Sequence, residues 1–179
     1  MLTRALVCGY MAAARLLELW RSRGNIDASG PVREGEWSRR TFPLVVALHA
    51  CVIGGTFLLG GERVRRPWLA LLVLVQPLRA WVLATLGRRW NARAAVPVAM
   101  EVAAEGPYAF VRHPNYAVVA VELFCLPAAF GLWPLAAAAS AANAVLLAPR
   151  IREEEALLAQ LPGYSERFEG KKRFVPGLA

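Results

Sequence analysis

The chain has 179 residues, a formal net charge of +8 and 57% hydrophobic residues, with 19% charged. A soluble domain is nearer half apolar and about a quarter charged, so the composition excludes an ordinary soluble domain and fits one membrane-embedded domain spanning residues 1–179. A pI near 10.2 does not make it a nucleic-acid binder, because the basic residues are scattered between apolar stretches, where they act as retention signals with anionic lipid as their neighbour.

Residues 2–20 are mostly apolar but contain Arg15 and Glu18, and no small-residue cleavage site follows them, which argues against a secretory leader. Three positions apart on a helix, Arg15 and Glu18 share a face and can pair, either at the interface or inside the bundle. The glycines of 21–41 (Gly24, Gly30, Gly35) and Pro31 predict a polar loop. A second span, Phe42 to Gly60, carries no charge and a single His49, read as hydrogen-bonded packing rather than a ligand. The third runs from Pro67 to about Leu86, a length that suits a hydrocarbon core of roughly 30 Å. It contains Gln76 and Arg79, and an arginine facing lipid there would cost at least ~2.5 kcal/mol, so Arg79 snorkels or faces a polar pocket. Cys8, Cys51 and Cys125 lie in apolar runs and specify neither a disulfide framework nor a zinc site, so no metal is expected.

A basic loop, 87–113, leads into Gly106-Pro107-Tyr108-Ala109-Phe110-Val111-Arg112-His113-Pro114-Asn115-Tyr116. Gly-Pro opens a turn, and Pro114 suits the first turn of a helix whose free amides favour an anion or carboxylate. Its aromatic residues offer faces to a cation or a planar ring. The apolar run 114–149 is too long for one span, and Phe130 to Pro134 breaks it into a hairpin with arms 114–129 and 134–149. Ala136 to Ala142 is either a small-residue packing face or compositional habit. Glu122 and Asn143 stand at matching depth in the two arms. They are either bonded to each other as structural glue, or Glu122 is a substrate-facing acid or base with its pKa raised by desolvation. After Pro149 come Arg150, Glu154 and Glu155, then Gly163-Tyr164 and Arg173-Phe174-Val175-Pro176.

The block Gly-Pro-Tyr-x-x-Val-Arg-His-Pro-Asn-Tyr, followed at the same spacing by Glu155 and Gly163-Tyr164, resembles the signature of the isoprenylcysteine carboxyl methyltransferase family over roughly residues 76–176. The resemblance implies an all-α integral-membrane bundle of about five transmembrane helices with a cytosolic C-terminal cofactor-binding segment. It implies S-adenosylmethionine as cofactor, contacted by His113, Asn115, Tyr116 and Glu155, with Arg79 and Arg150 holding an anionic acceptor oxygen. Where eukaryotic members have a small residue and tryptophan after the tyrosine, this chain has Ala117 to Glu122. It looks instead like bacterial members that accompany polyketide synthases making alkylpyrones and alkylresorcinols. The expected activity is therefore O-methylation of a lipophilic small molecule, with Glu122 as the base for an enol or phenol. Carboxyl methylation of a prenylcysteine-type substrate, an NADPH-dependent sterol-type reductase and a small transporter are the alternatives. Charge sets the expected topology: 21–41, 87–113 and the tail hold fifteen basic residues and belong inside a bacterial cell membrane, against four outside.

Overall fold

The computed structural model describes residues 1–98 and 101–174; Val175 and Pro176 of the C-terminal block lie outside the described residues. Five long helices, α1 (Leu2–Ala28), α2 (Glu36–Leu59), α3 (Arg66–Leu86), α4 (Pro114–Ala129) and α5 (Trp133–Leu158), are followed by a short α6 (Tyr164–Phe168). Two short strands, β1 (Val32–Arg33) and β2 (Val96–Pro97), pair antiparallel and tie the α1–α2 loop to the α3–α4 loop. Among the described residues, three helices are long and apolar enough to cross a membrane: Glu36–Leu59, Arg66–Arg89 and Trp133–Leu158. α4 is equally apolar but has 16 residues, and α1 carries several charges along its length.

α4 is the centre of the bundle and packs on α2, α3 and α5. It is apolar on all sides, the pattern of a helix surrounded by protein or lipid, and Val118, Leu123, Leu126, Ala128 and Ala129 are buried. On α5 the buried positions Ala136, Ala139, Asn143 and Arg150 form one stripe at helical spacing. Ala136 is 0% exposed whereas its neighbours Ala137 and Ala138 are open, so the small residues on the inward face serve close approach of helices. At the far end of the bundle the hairpin turn falls where it is expected, between Ala129 and Trp133. It accepts backbone bonds from Gly61 (2.8 Å, to Phe130) and Arg65 (2.8 Å, to Ala129). Arg65 lies 5.2 Å above the Trp133 ring, a cation–π contact that accounts for a basic residue at this end.

The expected loop at 21–41 is corrected. α1 continues to Ala28, leaving only 29–35 outside helices. A glycine in an exposed helix costs about 1 kcal/mol, and Gly24 has open space around it. Tertiary hydrogen bonds offset that cost. Asn25 donates to the carbonyls of Trp90 (2.6 Å) and Gly87 (3.3 Å), and the buried Ser22 hydroxyl accepts the Ala92 amide at 2.9 Å. The second arm of the hairpin also runs further than the apolar stretch, through Pro149 to Leu158, so Arg150, Glu154 and Glu155 ride on one rigid rod.

Candidate active site

The motif at 106–116 takes its shape from close packing on α3. Gly106 has φ +57°, and a Cβ there would lie 2.5 Å from Thr85 Oγ1, so both the turn and the approach call for glycine. Arg89 donates to Glu105 Oε1 at 2.7 Å, and this bond holds the Glu105 carboxyl below its ordinary range. His113 is the residue before α4 and Pro114 opens the helix. The preceding loop is closed by Asn91, whose Oδ1 accepts the amides of Arg93 (3.0 Å) and Ala95 (2.9 Å) around Ala94, which has φ 54°.

These elements enclose a cavity of about 520 Å³, within the usual range for small-molecule sites. At the loop end it is walled by Trp90, Tyr108, His113, Asn115, Tyr116, Arg150, Glu154 and Tyr164. His113 and Tyr116 stack at 5.4 Å. The Tyr116 hydroxyl donates to Glu154 Oε2 and accepts from Arg150 Nε at 3.2 Å. Arg150 also donates to the Ala92 carbonyl at 2.5 Å and places its guanidinium over the Tyr116 ring. Burial raises the Tyr164 hydroxyl to about 12 and pushes Tyr108 higher still, so both rings are neutral near pH 7. Asn115 Oδ1 and Trp90 Nε1 are buried and have no hydrogen-bond partner among the described residues. An open acceptor, an open donor, aromatic faces and one carboxylate suit a polar, cationic, ring-bearing ligand. The residues present therefore fit S-adenosylmethionine.

Deeper, the cavity meets a network of buried charge. Arg79 makes a bidentate pair with Glu18 (2.7 and 2.6 Å) and reaches Glu122 Oε2 at 3.3 Å. Arg15 pairs with Glu18 at 3.1 Å and with Glu122 at 3.5 Å. Gln76 donates to Glu122 Oε1 at 3.0 Å. Two arginines thus balance two glutamates where water is scarce, and the low dielectric makes each pairing count.

The chain after α6 lies along the motif as a strap. The Arg112 and His113 amides donate to the carbonyls of Lys172 (2.9 Å) and Arg173 (2.8 Å). Glu155 secures it, with Oε1 bonded to His113 Nε2 at 3.1 Å and the carboxylate bridged to Arg173 at 3.0 and 2.6 Å. That carboxylate in turn raises the Arg173 guanidinium above its ordinary pKa.

The structure therefore brings His113, Asn115, Tyr116, Arg79 and Arg150 to one cavity. Glu155 is the fastener of the strap, and it is its neighbour Glu154 that lines the cavity. Glu122 is 2% exposed and is held by Gln76, Arg79 and Arg15 rather than by Asn143. Arg79 is fully engaged by carboxylates. Trp90, Glu154 and the pairing of Glu18 with Arg79 were not expected. Glu154 stands inside the C-terminal block and Trp90 in the basic loop ahead of the motif, and both could have been picked out there, whereas nothing local links residues 18 and 79.

A model of the isoprenylcysteine carboxyl methyltransferase family matches residues 68–160. The chain is also 30% identical over 162 residues to YpbQ of Bacillus subtilis (strain 168), an uncharacterized protein, covering 86% of this chain and 95% of that one. The family match covers most of α3, the motif loop, the α4–α5 hairpin and the glutamate pair, which wall one side of the cavity, while α1, α2 and α6 line the rest. Membership favours methyl transfer over the reductase and transporter alternatives. The chain belongs to the isoprenylcysteine carboxyl methyltransferase family, membrane methyltransferases that use S-adenosylmethionine.

Proposed function

We propose that this chain O-methylates a lipophilic small molecule bearing an enol or phenol, of the alkylpyrone or alkylresorcinol class. The observation that carries this is the charge balance of the deep cavity. Glu18 and Glu122 use up the charge of Arg15 and Arg79, and Arg150 is committed to Tyr116 and the Ala92 carbonyl beside Glu154. Among the described residues a carboxylate acceptor would find no free cation in the deep cavity and would be desolvated at a cost of several kcal/mol. A neutral hydroxyl on an apolar tail meets no such penalty.

S-Adenosylmethionine, when bound, supplies an electrophilic methyl group on a sulfonium sulfur. His113, Asn115, Tyr116, Trp90 and Glu154 hold it at the loop end. Arg150 orients the Tyr116 ring through the hydroxyl bond and the cation–π contact. The acceptor's chain lies among Val45, Val46, Ile53, Val119 and Leu147. Water exclusion and alignment of the two reactants then account for much of the rate. Purified protein given labelled S-adenosylmethionine with an alkylresorcinol, a fatty acid or a prenylcysteine is expected to label the resorcinol, as an ether stable to base. Label appearing only in base-labile esters would overturn the reading.

This use requires the loop end of the bundle to face the cytosol, where the cofactor is found. All five long helices then cross the inner membrane, with the N-terminus outside and the C-terminus inside. The internal pairing of Arg15 and Glu18 removes the main obstacle to α1, and α4 is sheltered by its neighbours. Single cysteines introduced at Gly131 and at Gly170 are expected to react with impermeant reagents from opposite sides of the membrane, Gly131 from outside. Labelling of Gly131 from the cytosol would reverse the topology.

A further inference from the structure

We propose that His49 is the general base that takes the acceptor's hydroxyl proton, an inference that rests on the enol or phenol reading above. His49 lies in the middle of α2 and lines the cavity. Its Nδ1 is 2.8 Å from the Val45 carbonyl. A carbonyl only accepts, so Nδ1 carries the hydrogen, and in the neutral ring the lone pair is on Nε2. Among the described residues Nε2 has no hydrogen-bond partner. The ring is thus set in the tautomer that a base requires.

Its depth is right as well. α2 and α5 run antiparallel, with Ser38 bonded to Glu153 at one end and Gly55 against Leu135 at the other. That register sets His49 opposite Ala141 and Ala142, beside the cavity-lining Asn143. Arg150, bonded to Tyr116, is eight or nine positions further along α5 than that level, so His49 is about 12–13 Å below it along the axis. A C···O approach of about 3–3.5 Å and an O–H···N bond of about 2.8 Å span about half of that interval, leaving the rest for the sulfur–methyl bond and the part of the cofactor between Tyr116 and its sulfur. Beyond His49 the cavity continues to Ile53 and Gly54, a path for an alkyl tail. Glu122 is a poorer base, because its oxygens are already occupied by three donors and it does not line the cavity.

In the step, an acceptor oxygen lone pair forms the O–C bond. The C–S bond breaks and its electron pair returns to sulfur. The hydroxyl proton passes to Nε2. One positive charge leaves sulfur and one appears on the imidazole, which later releases its proton to water at the loop end.

The test uses the full chain in lipid nanodiscs with isotope-labelled histidine. The chain has two histidines, so the His49→Gln variant assigns both ring signals. A long-chain alkylresorcinol added without cofactor is expected to move the His49 Nε2 signal, and its di-O-methyl ether to leave it in place. His49→Gln is expected to lower ether formation about 100-fold or more, with S-adenosylmethionine affinity by calorimetry unchanged. A His49 signal that does not respond to a resorcinol the wild type methylates would overturn the assignment, as would a variant that keeps more than a tenth of wild-type turnover. If the wild type makes only base-labile esters, the acceptor class fails and this assignment falls with it. That failure is distinguishable, because the others leave wild-type ether formation intact.

Discussion

Glu122→Gln is expected to destabilise the protein by about 3–5 kcal/mol, the usual cost of breaking a buried ion pair from one side. Glutamine has the same shape but no charge, so Arg15 and Arg79 are left facing Glu18 alone, with one positive charge unbalanced in the bundle. Its amide nitrogen also meets a donor whichever way it turns, the guanidinium groups at 3.3 and 3.5 Å on one side or Gln76 Nε2 on the other. The second substitution Arg15→Gln is expected to recover most of that loss, because the bidentate Arg79–Glu18 pair at 2.7 and 2.6 Å remains intact and neutral. Thermal unfolding in detergent of the two single variants and the double variant measures the coupling. Additive losses would show that the four side chains do not act as one unit.

Glu155→Gln is expected to weaken S-adenosylmethionine binding roughly 10- to 100-fold while leaving the bundle folded. Hydrogen bonds to a charged group contribute about 1.5–3 kcal/mol each. The His113 arm is buried, but the Arg173 side chain is 49% exposed, so its contribution is nearer the small value of a surface pair. Losing both frees the strap that lies on Arg112 and His113 at the rim of the cavity. Removing the chain after Gly170 is expected to have a similar effect on affinity. Calorimetry showing unchanged binding in both variants would separate the strap from the cofactor site.

The parts legible in the sequence were those encoded by neighbours in the chain. Phe130 to Pro134 ended one helix and began another because Gly131, with φ +81°, and Pro134, in the first turn of α5, stand together there. Pro114 opened α4 for the same local reason. His113, Asn115 and Tyr116 converge because they occupy one helix start. The failures share a different cause. Gly24 looks like a loop residue, yet α1 persists to Ala28 through bonds from Asn25 to residues more than sixty positions away. Glu122 was matched with Asn143 on depth alone, whereas its partners come from α1 and α3. Glu155 and Glu154 are adjacent, and only the rotation of α5 decides which of them meets the strap and which meets the cavity. Interhelical rotation is set by packing at distance, and no short window of sequence contains it.

The balance among Arg15, Glu18, Arg79 and Glu122 also bears on how such a chain can change over generations. A lineage that altered one of the four would pass through an intermediate with a stray charge in the bundle, at a stability cost large enough to deplete the folded enzyme. Compensated double changes, such as losing Arg15 together with Glu122, open a path that single steps close. Across descendants of this chain the four positions should therefore vary as a set, with neutral replacements appearing in opposite-charge pairs, while the apolar residues around them drift one at a time.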